Sequence, residues 1–150
     1  MNAGALDIIC SIPGIEWWLS PTVVDECGPT CAAVVLDLQS RGAIKFFDDS
    51  HINSDKFLKL LEDHKLGAGE TECLAIAAEE DFDICCDDRR ARQVSVNILG
   101  SDRVFGTIRV LRWCVEATLI SCADAKKFLD HMKERGGFLP NTPQSFFCGQ

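Results

Sequence analysis

The chain of 150 residues has no long hydrophobic run, no excess of basic charge, no internal repeat and no low-complexity segment. Its apolar stretches, such as 31–36, are far too short to span a bilayer. Residues 1–12 contain Asp7 and no basic cluster, so they do not read as a secretory signal, and a cytoplasmic protein without membrane contact is expected. Basic residues number 15 against 23 acids, a net charge of −8, which disfavours a general nucleic-acid binder that must neutralise phosphates. His51, His64 and His131 are isolated, and no Ser/His/Asp order suggests a catalytic triad. Gly67-x-Gly69 lacks a third glycine and follows a helical pattern, so it is not a nucleotide-binding loop.

What is present is ordinary for one globular domain: 47% hydrophobic residues, 25% charged, and enough length for a core. Nine cysteines are an odd number, without an export signal and partly inside apolar runs, which argues for reduced thiols rather than a disulfide framework. Cys10, Cys73, Cys85 and Cys114 sit where a small buried hydrophobe would serve. Cys27 and Cys31 are separated by three residues, one more than in a redox dithiol motif. Cys85 and Cys86, adjacent in a strand, are expected to point to opposite faces. Thiol chemistry and soft-metal binding are therefore the least favoured readings. Charge is uneven, with 14 acids and 5 bases in residues 1–80 but 9 acids and 10 bases in 81–150. Such asymmetry suits an anionic-ligand surface beside an acidic pocket, and equally suits solvated helix faces.

Helical and strand-like patterns alternate along the chain. A short helix is expected over 5–12, ended by Pro13-Gly14, then a strand over 15–19. Ser20-Pro21 is a helix start, with serine as cap and proline at the first helical position. Gly28-Pro29 interrupts that helix, which resumes over 31–39. A strand over 43–47 and a polar loop over 48–53 lead to a helix capped by Ser54, with Phe57, Leu58 and Leu61 on one face. A helix opening at Glu70, a buried strand over 84–86, a helix over 89–99, a strand over 103–105 and helices over 108–119 and 123–135 follow. This alternation predicts an α/β fold with a parallel sheet and helices on both faces. In such folds the ligand crevice lies beyond the carboxyl ends of the strands.

Three acidic positions satisfy that rule. Glu26 lies in the helix after the first visible strand, Glu70 follows Gly67-Ala68-Gly69, and Asp87 and Asp88 end the strand over 84–86. Converging carboxylates hold hard cations such as Mg²⁺, and a metal so held activates water in phosphodiester cleavage. Each acid also has an ordinary explanation. Glu70 suits a helix N-terminus through the helix dipole, Asp87 or Asp88 caps the next helix, and Glu26 is one more residue on a solvated face.

The run Leu66-Gly67-Ala68-Gly69-Glu70-Thr71-Glu72-Cys73-Leu74-Ala75-Ile76-Ala77, followed by Ile84-Cys85-Cys86-Asp87-Asp88-Arg89-Arg90-Ala91-Arg92, resembles the PIN-domain superfamily. The nearest likeness is to a prokaryotic branch related to the VapC-type toxins of toxin–antitoxin pairs. Phe105-Gly106-Thr107, the helix after it and the stretch 123–138 resemble the C-terminal part of that branch, and Val24-Asp25-Glu26-Cys27 matches its acidic helix position. The resemblance implies a three-layer α/β/α sandwich around a central, mainly parallel sheet, in one domain over 1–150. It implies a ribonuclease dependent on Mg²⁺ or Mn²⁺, with Glu26, Glu70 and one of Asp87 or Asp88 as catalytic metal-site acids, Asp88 fitting the family spacing slightly better. Arg89, Arg90 and Arg92 are then candidates for substrate phosphate. RNA, an antitoxin-like protein and a second copy of the chain are the implied partners.

Members of the family begin with a buried strand ending in a ligand aspartate. Residues 1–7 read instead as the start of the helix that follows it, and Asp7 falls too late to stand in. The first strand is therefore expected to be absent, through truncation or in a natural inactive form, with impaired cleavage. Loss of a central strand exposes pairing edges, so weak stability, dimerisation or a substitute strand in that slot is also expected. The competing expectation is a non-catalytic PIN-like scaffold that binds nucleic acid or protein.

Overall fold

A computed structural model describes residues 3–48 and 52–149; part of the polar loop expected over 48–53 lies outside them. The chain forms two compact units. One comprises residues 17–105, and the other joins the two chain ends, 1–16 and 106–150.

In the central unit, strand β1 (Trp18–Leu19) leads into helix α2 (Pro21–Glu26), for reasons written locally. Ser20 accepts the Val23 N–H at 3.4 Å, and Pro21, which has no N–H to satisfy, takes the first turn. Cys27 leaves the helical region, and Gly28-Pro29 opens helix α3 (Pro29–Ser40). Strand β2 (Lys45–Phe46) pairs in parallel with β1, with Trp18 opposite Lys45 and Leu19 opposite Phe46. Helix α4 (Ser54–His64) is capped by Asn53, whose side chain accepts the Lys56 N–H at 3.0 Å, so the expected cap at Ser54 moves one residue back. Lys65 closes α4 in the left-handed region at φ 50°.

Helix α5 (Ala68–Glu79) starts two residues before the expected Glu70. It buries Gly69, Thr71, Glu72, Leu74, Ala75, Ile76 and Ala77, more than half of its length. Strand β3 (Ile84–Cys85) is followed by helix α6 (Arg89–Leu99), a 3₁₀ turn (Ser101–Arg103) and strand β4 (Val104–Phe105). β3 and β4 pair in parallel, Ile84 against Val104 and Cys85 against Phe105. Leu66, Leu74, Ala77, Ile84, Ala91 and Val104 form the core, with Leu60 packed against it. Leu58, expected on the inward face of α4, is 52% exposed, so that face is rotated toward Leu60.

The strands are parallel, as the alternation predicts, but they are two residues each. They fall into two separate two-stranded sheets, where one central sheet was expected. Only short stretches of backbone find a ladder partner: Lys45 N–H reaches Trp17 O at 2.8 Å and Phe47 N–H reaches Leu19 O at 2.9 Å, and the chain then turns into helix or loop. The sequence pattern of alternating apolar residues extends further than the pairing does.

In the terminal unit, helix α1 (Ala3–Cys10) packs against α7 (Thr107–Glu116), and α7 packs on α8 (Cys122–Glu134). Gly106, rather than Thr107, is the cap residue of α7. A short helix α9 (Gln144–Phe147) inserts Phe147, 1% exposed, into a core with Leu111, Ala125 and Leu129. The apolar stripe expected on the last long helix is present, with Ala125 and Leu129 fully buried and Phe128 beside them. Among the described residues no helix is long and apolar enough to cross a membrane. None of the nine cysteines is in a disulfide. Cys114 is buried, Cys10 and Cys73 are half-buried, and Cys85 is exposed, which corrects its expected core placement.

Candidate functional site

Two of the acids singled out by the sequence, Glu26 and Glu70, meet at the first turn of α5, in the central unit. That turn begins with Gly67 in an extended conformation, so the free N–H groups of residues 67–70 need acceptors. Two carboxylates supply two of the four. Glu70, at the third helical position, folds back so that its Oε2 accepts the Gly67 N–H at 3.1 Å. Glu26, 43 residues earlier, brings Oε1 to the Gly69 N–H at 3.3 Å. Negative charge is favourable at this helix end because the peptide dipoles leave it partly positive.

Gly69 makes the approach of Glu26 possible. A Cβ there would lie 2.8 Å from Glu26 Oε2 and 3.1 Å from Val23 Cγ2. The glycines before Glu70 read from sequence as room for a ligand; at Gly69 the room is taken by α2. The clasp is reciprocal. Glu72, only 7% exposed, sends Oε2 from α5 to the Thr22 N–H at 2.8 Å, in the first turn of α2. The buried Ser20 hydroxyl completes that turn and receives the Cys73 thiol at 3.5 Å. Antiparallel packing follows: the start of α2 meets Glu72, and its end meets Gly69.

The aspartates stand at the β3–α6 junction. Asp88 caps α6, its Oδ1 accepting both the Arg90 and Ala91 N–H groups at 2.8 Å. Asp87 is exposed beside it. The basic run after them is partly structural. Arg90 Nη2 donates to the His64 carbonyl at 2.7 Å, closing the last turn of α4, and Arg92 Nη1 donates to the Cys86 carbonyl at 3.0 Å. Arg89 is exposed in the first turn of α6.

Two thiols record how the charges are distributed. Burial first, and then the charges of Glu70, Asp88 and Asp87, push the Cys86 thiol up to about 11. Burial first, then Glu72 and Glu26, raise the Cys73 thiol as well. Glu70, Asp88 and Asp87 thus all act on the Cys86 thiol, and Glu72 and Glu26 on that of Cys73.

Glu72 and Cys86 are the participants that sequence reasoning missed, and Gly69 was noticed but given another role. Glu72 is next but one to Glu70 in a run already noticed, and its burial was the missing signal. Carboxylate oxygens are the right donors for Mg²⁺ or Mn²⁺. Their placement does not match that chemistry: among the described residues no three His, Cys, Asp or Glu side chains come together closely enough to hold one ion. Glu26, Glu70 and Asp88 each hold a helix N-terminus instead.

Against known proteins, one family model, DUF3368, described as a PIN domain, matches residues 2–144. None of the curated proteins and none of the solved structures matches the chain.

Proposed function

Because the chain belongs to the PIN-domain family, we propose that it is a ribonuclease-type domain whose acidic centre, in the arrangement described, is short of what metal-dependent cleavage needs. One observation carries this reading. Glu26 and Glu70, far apart in sequence, both bond to N–H groups of the first turn of α5, while no third ligand joins them among the described residues. A bound Mg²⁺ or Mn²⁺ would supply a polarised water and charge on the departing oxygen. What this chain's own residues do is narrower. Glu70 and Asp88 fix the starts of α5 and α6. Arg89 and Arg90 are both exposed, and because Arg90 is drawn to the His64 carbonyl, Arg89 is the cation assigned to an RNA phosphate. The reading includes the three-layer α/β/α arrangement of the family and an antitoxin-like protein or a second copy as partner.

The alternative, a PIN-like scaffold that binds without cleaving, is favoured by the use of three of the four candidate acids as helix caps. Mn²⁺ titration by calorimetry, on the parent and on Glu70→Gln, is paired with cleavage of a labelled single-stranded RNA. Weak or no Mn²⁺ binding together with negligible cleavage is the expected result. Saturable binding and cleavage, both lost in Glu70→Gln, would make the domain a competent nuclease and refute the impairment. RNA retention without metal and without cleavage, unchanged in Glu70→Gln, would favour the scaffold.

A further inference from the structure

The corner between α2 and α3 carries a pair of thiols that none of the chemistry above uses. Cys27 ends α2 and Cys31 stands in the first turn of α3, with Gly28-Pro29 turning the chain between them. The two Sγ atoms are 3.1 Å apart, with the Cys31 thiol directed at Cys27. A disulfide needs about 2.05 Å, so a displacement of about 1 Å separates contact from bond. The sequence spacing of three intervening residues argued against a dithiol, but that rule assumes a single continuous helix. Here Cys27 has left the helical region, with ψ at 125°, and the break folds the second thiol onto the first.

We infer that Cys27 and Cys31 form a dithiol site that reacts with low-molecular-weight disulfides of the glutathione type and closes to an intrachain disulfide. The thiolate of one cysteine attacks a sulfur of the small disulfide, forming a mixed disulfide and releasing one small thiol. The second thiolate attacks the protein sulfur of that mixed disulfide, forming the Cys27–Cys31 bond and releasing the other small thiol. Two electrons and two protons pass from the protein to the small disulfide, and no other oxidant is involved. Both thiols are half-buried, so the reagent has access, and the second thiol is already in contact with the first. The product would fix the end of α2 one residue after Glu26. The inference concerns the thiols alone and stands whether or not the acids act on RNA.

The test uses the reduced full chain and oxidised glutathione, followed by acid quenching, alkylation, tryptic digestion and mass spectrometry. No lysine or arginine precedes Arg41, so Cys10, Cys27 and Cys31 fall in one peptide. The expected product is that peptide lighter by two hydrogens, with Cys10 alkylated and Cys27 and Cys31 protected. In Cys31→Ser, glutathione is expected to remain attached to Cys27 because nothing displaces it. Stable glutathione on Cys27 in the parent chain, alkylation of both thiols as if untreated, or a bond involving Cys10 would each overturn the inference.

Discussion

Gly69→Ala is the substitution that most directly tests the clasp between α2 and α5. Within a helix this change ordinarily stabilises by about 0.5–1 kcal/mol, because alanine has less backbone freedom to lose. At this position the added methyl meets Glu26 Oε2 at 2.8 Å and Val23 Cγ2 at 3.1 Å. The carboxylate can swing away, which gives up its bond to the Gly69 N–H. That bond is long, at 3.3 Å, and partly open to solvent, so its loss costs about 1 kcal/mol. Val23 is β-branched and stiff, and crowding it adds about 1 kcal/mol. The contributions sum to a net destabilisation of about 1 kcal/mol instead of a gain. In a Glu26→Ala background the carboxylate contact is gone, and Gly69→Ala is expected to be close to neutral, a coupling of about 1 kcal/mol. Urea unfolding followed by tryptophan fluorescence reads this, since Trp18 packs against Phe47 and Phe82 in the same unit. Equal stabilisation by Gly69→Ala in both backgrounds, with coupling under about 0.3 kcal/mol, would refute the contact between Glu26 and α5.

Glu72→Ala removes the acceptor of the Thr22 N–H in a buried place, and is expected to lower stability by about 1–3 kcal/mol by urea unfolding, with Glu72→Gln retaining part of it. Asp88→Ala is expected to cost about 1–2 kcal/mol through loss of the α6 cap, whereas Asp88→Asn stays within a few tenths, because asparagine also accepts the Arg90 and Ala91 N–H groups. Hydrogen bonds from the Ser121 side chain and N–H, ahead of the Lys127 charge, hold the Asp124 carboxyl below its ordinary value of 3.8. Its contribution to α8 is therefore present above the ordinary aspartate range and lost as pH falls through the lowered value. NMR titration should place the Asp124 midpoint below that of an unfolded chain, and Asp124→Asn should remove this part of the acid dependence.

The features that came through from sequence are those encoded within one turn of chain. Ser20-Pro21 announced α2, and Asp88 followed by a helical pattern gave α6 over 89–99, the range it occupies. Errors arose where tertiary contact overrode the local signal. The helix expected to open at Glu70 starts at Ala68, where carboxylates from two elements accept the Gly67 and Gly69 N–H groups. Helix α9 has only four residues, too few for any periodicity, and exists through the burial of Phe147. Glu26 and Glu70 were legible because each stands at the end of a helical pattern, Glu26 before Gly28-Pro29 and Glu70 after Gly67-Ala68-Gly69. The partnership of Glu72 with Thr22 was not, since 50 residues separate them and no short pattern connects them.

That the candidate acids also serve as caps does not by itself decide between cleavage and binding. A carboxylate offers roughly four acceptor sites, so one N–H bond leaves it able to ligate a cation while fixing its direction. Orientation is thus already provided for Glu26, Glu70 and Asp88; convergence is what they lack. The two aspartates differ in how readily they supply it. Asp88 has one oxygen committed to two N–H groups of α6, and turning it inward would uncap that helix. Asp87 is exposed at the same junction, and the cap bonds to the Arg90 and Ala91 N–H groups come from Asp88 rather than from it. If a third ligand is recruited from this junction, the cost of losing a cap makes Asp87 the more accessible source, although the family spacing slightly favours Asp88. Asp87→Asn would then abolish Mn²⁺ binding that Asp88→Asn leaves within a few-fold; the reverse order would mean that the cap is given up for the metal.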